Sequence, residues 1–406
     1  MDIPPELARE IVGHLPALDE DNGVSLKAMS LVSSTFSSYS QERLFYSLNI
    51  NSRKGDPTAG QRIIQRLDHC QLVRKYMRKL SITISDPSLE PSVAEALQHL
   101  NRLNIIREVN MDWQSWTYCP SDVPDAIAAI LSSATSPIIS LRLRRCSAHL
   151  ADLCTSSLEY LELVQPRTLS IIPPLREQGF VHLKELCLEA TSALLAESAV
   201  RRLLQSSRNR MSDLRSLRLQ IMSVNLDEVK VLHSLATLVL ASASSLRALE
   251  YTIGLTYSTL LKEEGVFDLS RFTQLREMRL SFQHARYFDQ EGEGYHHNTP
   301  FKWVLCLLQT VSSAMPLENV ELTWDHVPYN EGVQLAPDFD FQIWEELDLL
   351  FSDRSRFERL SWVGLHIRVE GSLIHNDPTG EFGRLLKKTM DRGILRLRKT
   401  VYPRPA

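Results

Sequence analysis

The chain has 406 residues, 43% hydrophobic and 23% charged, which is the composition of a globular protein with two or three domains or one long repeat array. A net charge of −4 excludes a nucleic-acid binder that relies on a basic surface, and no apolar run approaches the roughly 20 residues that cross a bilayer. The acidic, proline-containing start lacks the pattern of a signal peptide, and six cysteines without CxxC pairing point to a reducing cytoplasmic or nuclear location.

The first element is predicted over residues 3–15, IPPELAREIVGHL, where Ile3, Leu7, Ile11 and Leu15 recur every four residues and form one apolar helical stripe. Pro4 and Pro5 suit only a first helical turn, where a fixed φ and a missing N–H cost nothing. After the polar stretch 16–23, the run SLKAMSLVSSTF carries Leu26, Met29, Leu31, Val32 and Phe36 at helical intervals. Ser38 followed by Gln41 fits a capping box opening a third helix, SYSQERLF. Three such helices bury too little to stand alone and require a partner.

In order and spacing these segments, over residues 2–48, resemble an F-box in the form found at the front of many fungal F-box proteins. Ile3-Pro4-Pro5-Glu6 stands for the usual Leu-Pro-x-Glu, and Ser33 and Phe36 stand where the family has Cys and Trp. The resemblance implies docking on a Skp-type adaptor, and through it on the cullin and RING subunits of an SCF ubiquitin ligase. Carried over by position, the adaptor-facing residues are Ile3, Pro4, Pro5, Leu7, Ile11, Leu15, Leu26, Leu31, Val32 and Phe36. Some of these must hold the helices together instead, and the sequence does not divide the two sets.

From Phe45 onward one phrase returns, apolar-x-x-apolar-x-apolar. It runs from Phe45-x-x-Leu48-x-Ile50 and Met77-x-x-Leu80-x-Ile82 to Phe357-x-x-Leu360-x-Trp362, with Val109, Leu141, Leu161, Leu186, Leu217, Leu249, Met278 and Val320 as the middle residues between and a worn last copy at Ile394–Leu397. Successive middle positions lie 20 to 42 residues apart. This is the strand phrase of a leucine-rich repeat. Between copies lie stretches of helical periodicity, over residues 59–77, 93–104, 123–134, 198–208 and 300–314. The fold predicted is therefore α/β: a three-helix F-box at 1–48, then an irregular leucine-rich-repeat-like solenoid of parallel strands and helices over 49–406. The Asn ladder of regular leucine-rich repeats is mostly missing. No Gly-rich phosphate loop follows any strand, as a doubly wound nucleotide fold would need.

Two late inserts stretch the array. In the second, Phe341, Ile343, Trp344 and Leu347 read as one face of a helix, which leaves Tyr329, Asp338 and Asp340 as candidate substrate contacts. Glu291, Glu293, His296 and His297 have no metal-ligand spacing and read as a solvated loop. The clusters Arg142/Arg144/Arg145 and Arg201/Arg202 read as solvated faces. No nucleophile elbow, phosphate loop or cysteine signature is present. The expectation is a chain without catalytic residues, metal or cofactor that recognises a protein substrate, through the concave sheet face or the late loops, for an SCF-type ligase. Neither nucleic acid nor membrane is an expected partner. The alternative is a repeat scaffold whose F-box has decayed.

Overall fold

The computed structural model describes residues 3–15, 24–52, 59–84, 91–113, 122–133, 137–146, 148–154, 157–166, 182–205, 211–224, 229–255, 267–284, 299–326, 341–370 and 378–402. By packing, the chain forms two compact units: Met1–Leu161 with Leu169–Phe180, and Glu162–Thr168 with Val181–Ala406.

The first unit opens with helices α1 (Pro5–His14), α2 (Val24–Met29) and α3 (Ser34–Phe45). It continues β1 (Ser47–Ser52), α4 (Ala59–His69), α5 (Gln71–Tyr76), β2 (Lys79–Ile84), α6 (Pro91–Leu103), β3 (Glu108–Trp113), α7 (Asp122–Leu131) and β4 (Ser140–Arg144). Strands β1 to β4 pair in chain order, all parallel. The middle residues of the predicted phrases are one another's register partners: Leu48 lies against Leu80, Leu80 against Val109, and Val109 against Leu141. Strand β5 (Tyr160–Val164) carries the division between the units.

The second unit runs β6 (Glu185–Ala190), α8 (Ala193–Gln205), β7 (Ser216–Val224), α9 (Val229–Ala241), β8 (Ala248–Leu255), β9 (Glu277–His284) and α10 (Thr299–Gln309). Then come β10 (Asn319–His326), α11 (Phe341–Ser352), β11 (Trp362–Glu370), α12 (Pro378–Leu385), α13 (Lys387–Asp391) and β12 (Leu395–Tyr402). Strands β6 to β12 are again parallel and in chain order. Helix α9 is not among the predicted segments.

Alternation explains the layering. Along β2, β3 and β6 every second side chain is buried, the last two apolar residues of each phrase followed by Ile84, Trp113 and Ala190; the side chains between them stay at the opposite face. In the second unit the buried face meets an aromatic core. Phe301 stands 4.3 Å from Trp344 and 5.0 Å from Trp324 between ring centroids, Trp344 lies 4.6 Å from Phe382, and Tyr251 stacks on Trp303 at 5.8 Å. Trp324 is a buried residue of β10.

One strand is displaced from its prediction. Val320 pairs with Val363 and Leu322 with Leu365, so the true phrase is Leu360-x-x-Val363-x-Leu365, three residues later than expected. Trp362 consequently falls on the opposite face, where the Arg396 guanidinium lies 5.8 Å from its ring centroid.

At the entry to these strands the backbone itself closes the turn. In the first unit the Tyr46 carbonyl accepts the N–H groups of both Arg78 and Lys79, the Arg78 carbonyl those of Arg107 and Glu108, and the Arg107 carbonyl those of Ile139 and Ser140. In the second unit the Lys184 carbonyl accepts from Arg215 and Ser216, and Arg215, Arg247, Arg276 and Glu318 each accept a like pair. The accepting residue always sits two before the middle of its phrase. Each turn is thus satisfied by a shared acceptor on the preceding strand.

Gly254 is required by a close approach. The β7–β8 register shifts between Ile221 and Val224, and a Cβ at Gly254 would stand 1.9 Å from the Met222 carbonyl oxygen. Gly254→Ala is expected to lower stability by about 1–3 kcal/mol through overpacking against backbone. Gly383→Ala, whose Cβ would meet Leu397 Cδ1 at an ordinary 3.7 Å, should be neutral or slightly stabilising. Urea denaturation of both variants checks the contrast.

Candidate functional site

Helix α1 starts as its prolines dictate. Pro4 is the extended residue before the first turn, Pro5 occupies that turn, and the Ala8 N–H closes it on the Pro4 carbonyl at 3.0 Å. The face that turns inward is not the expected stripe. Ala8 and Val12, one residue further round the helix, pack with Leu26 and Phe36 into the core of the three helices, while Leu15, Met29, Tyr39 and Leu44 pack partly against it. Ile3, Leu7 and Ile11 remain exposed, Leu7 by 47%. The Arg43 guanidinium of α3 donates to the Val12 carbonyl near the end of α1, which also accepts the Leu15 N–H at 3.3 Å.

The second segment is shorter than predicted. Helix α2 ends at Met29, and a turn follows in which the Leu31 and Val32 N–H groups bond the Ala28 and Met29 carbonyls at 3.1 Å each. That turn pushes Leu31 to 86% exposure and leaves Val32 exposed beside it. Helix α3 opens at Ser34 rather than near Ser38. Its N-cap is Ser33, whose hydroxyl accepts the Phe36 N–H at 3.4 Å.

The ten carried-over residues therefore fall into two sets. Leu26 and Phe36 are interior, and Leu15 is partly so. Ile3, Pro4, Pro5, Leu7, Ile11, Leu31 and Val32 are exposed. Val24, also exposed, joins the second set, and Ala8 and Val12 are core residues that the four-residue stripe hides. Apolar side chains that the helix core does not use remain on the surface of one small group of helices.

Elsewhere the sequence-based candidates separate from one another. Tyr329, Asp338 and Asp340 lie outside the described residues, as do Glu291, Glu293, His296 and His297. Ile343, Trp344 and Leu347 form the buried face of α11, but Phe341 at its start is exposed. Arg142 and Arg144 alternate outward between buried leucines along β4. Arg145 departs from the expected solvated face: it takes a positive φ and grips Asp112 with two nitrogens, at 2.8 and 2.6 Å.

Burial pushes the Cys146 and Cys154 thiols up to about 12 and Cys187 up to about 11, so all three are protonated at neutral pH and poor nucleophiles. Among the described residues, no three His, Cys, Asp or Glu side chains stand together as metal ligands, and no helix is long and apolar enough to cross a membrane.

The open sheet face of the second unit bears a polar groove of about 530 Å³ across β7 to β12. Two cross-strand ion pairs cross it, Arg218 with Glu250 at 2.9 Å and Arg279 with Glu321 at 3.4 Å. At its far end His366 Nε2 stands 2.8 Å from Thr400 Oγ1. No protein-family model matches the chain, and no curated protein matches its sequence.

Proposed function

We propose that the chain is the substrate-receptor subunit of an SCF-type cullin-RING ubiquitin ligase. Its N-terminal helices act as an F-box docking a Skp-type adaptor, and a leucine-rich-repeat-like array presents a protein substrate. The observation that carries this reading is the outward stripe of Ile3, Leu7 and Ile11 with Leu31 and Val32, over a helix core already filled by Ala8, Val12, Leu26 and Phe36. Exposed aliphatic side chains gain nothing in water and gain roughly 25 cal/mol per Å² when a partner covers them. In this role the chain breaks and forms no bonds. It raises the local concentration of substrate lysines near a charged ubiquitin carrier, in the cytoplasm or nucleus.

The test is co-expression with a Skp-type adaptor followed by size-exclusion chromatography. A one-to-one complex that is lost on deleting residues 1–48 is the expected result. A folded chain that elutes alone would leave the second reading, a repeat scaffold with a decayed F-box.

A further inference from the structure

The groove on the second unit has a floor made by a single row of register partners. Thr252 lies against Ser281, Ser281 against Thr323, Thr323 against His366, and His366 against Arg398. Five strands at about 4.8 Å spacing give the row a length of about 19 Å, the span of five or six extended residues. Thr252 and Thr323 are only 7% and 8% exposed, so short hydroxyl side chains form the bottom of the groove. The lining is almost wholly polar, of hydroxyl, amide, imidazole, carboxylate and guanidinium groups with Leu280 among them.

Charge is distributed unevenly along this floor. The two carboxylates in the lining, Glu250 and Glu321, are already engaged by Arg218 and Arg279. Past them the end of the groove carries Arg368 and Arg398 on either side of His366. Among the described residues no carboxylate is ion-paired with the exposed Arg398. Burial, then the nearby Arg368 and Arg398 guanidiniums, hold His366 below its ordinary 6.5, so at neutral pH the ring is uncharged and the positive field comes from the arginines.

We propose that this groove binds an extended, carboxylate-bearing segment of a partner protein, its carboxylate seated at the His366 end beside Arg398 and Arg368. That the occupant is a protein segment rests on the receptor reading above; that it is an anion rests on the groove alone. Arg218 and Arg279 already offset Glu250 and Glu321, so the field that attracts the ligand is that of Arg368 and Arg398 at the His366 end. A carboxylate is the anion that a protein segment carries without modification, and its two oxygens match a guanidinium fork. The hydroxyl floor then offers donors and acceptors to the segment's amides.

The carboxylate can come from an internal Asp or Glu or from a chain terminus, and one experiment separates them. The full chain, without adaptor, is screened against a positional-scanning library of fluorescein-labelled octapeptides with free or amidated C-termini and with phosphoserine among the building blocks. Selection of Asp or Glu at one position identifies an internal acid; selection of the free over the amidated terminus identifies a chain end. Either is the expected result, with Arg398→Ala weakening the best peptide about tenfold or more and Arg396→Ala, on the same strand but not among the lining residues, changing it less than twofold. Preference for phosphoserine, for basic or apolar residues, an absence of selection, or indifference to Arg398→Ala would each overturn the proposal. Because no adaptor is present, a failure here leaves the docking reading standing. A chain that selects acidic peptides but never binds adaptor refutes the docking alone.

Discussion

Asp348→Ala is expected to cost about 3–5 kcal/mol of stability. Asp348 lies on α11 and is only 5% exposed, yet it forms no ion pair among the described residues. Its carboxylate accepts the Lys388 N–H at 2.9 Å, the Thr389 N–H at 2.8 Å and the Thr389 hydroxyl at 2.8 Å. These are the first N–H groups of α13, whose own leading residue, Leu386, supplies no side-chain cap. A residue some forty positions earlier therefore caps the helix and meets its positive end. Alanine would strand two N–H groups and leave the buried Thr389 hydroxyl only the backbone carbonyl of residue 348, at 3.5 Å. Asparagine keeps the shape but sets an NH₂ against an N–H, and should lose about 2 kcal/mol or more. Chemical denaturation followed by tryptophan fluorescence reads mainly the second unit, which holds four of the six tryptophans, Trp303, Trp324, Trp344 and Trp362. A midpoint unchanged in Asp348→Ala would show that water replaces the carboxylate without penalty.

Leu7→Asp and Leu31→Asp should each abolish adaptor binding, a loss of at least a hundredfold, while leaving the thermal midpoint within a degree or two of the parent. Both side chains are exposed, so the new carboxylates stay hydrated in the free chain. They lose that water only if a partner covers them, and an unpaired charge buried at an apolar contact costs several kcal/mol. Leu15→Asp should behave differently. Leu15 packs against the helix core, so its substitution loosens the helices themselves, and circular dichroism should register the change before any binding assay does. Retained adaptor binding by a folded Leu7→Asp, Leu31→Asp double variant would sink the docking surface.

Much of the second unit was legible because parallel strands with one face buried write their register into the sequence. Leu186, Leu217, Leu249, Met278 and Val320 are middle residues of predicted phrases and successive partners in the sheet. The phrase failed at Phe357. There a buried loop residue, Phe357, precedes Leu360 by the same three positions that separate Leu360 from Val363, so two frames fit equally. Trp362, a large ring on the open face, completes the wrong one. Helix α9 escaped because VKVLHSLATLVLA is apolar nearly all round, which blurs the period.

The N-terminal helices posed the opposite difficulty. A stripe of Ile and Leu ordinarily faces a core, and only tertiary packing shows that the small side chain of Ala8, not Leu7, is the one turned inward. The Asp348 cap leaves no local trace either, since its partners are remote in sequence. Similarly, no single short motif announces the groove; it arises when residues from six repeats fall into register.

The shared-carbonyl turn also bears on how such a chain can drift. An Asn ladder needs a particular side chain at each rung, and losing one strands a buried N–H. Here the acceptors belong to Tyr46, Arg78, Arg107 and Ile139 in one unit and to Lys184, Arg215, Arg247, Arg276 and Glu318 in the other: five arginines beside four other residue types, all engaged here through the peptide oxygen rather than the side chain. Every amino acid supplies that oxygen, so substitution at these positions rewrites the rim of the molecule without touching the hinge that sets each strand. Geometry can then outlast resemblance: the same scaffold survives while the letters that once spelled it are replaced.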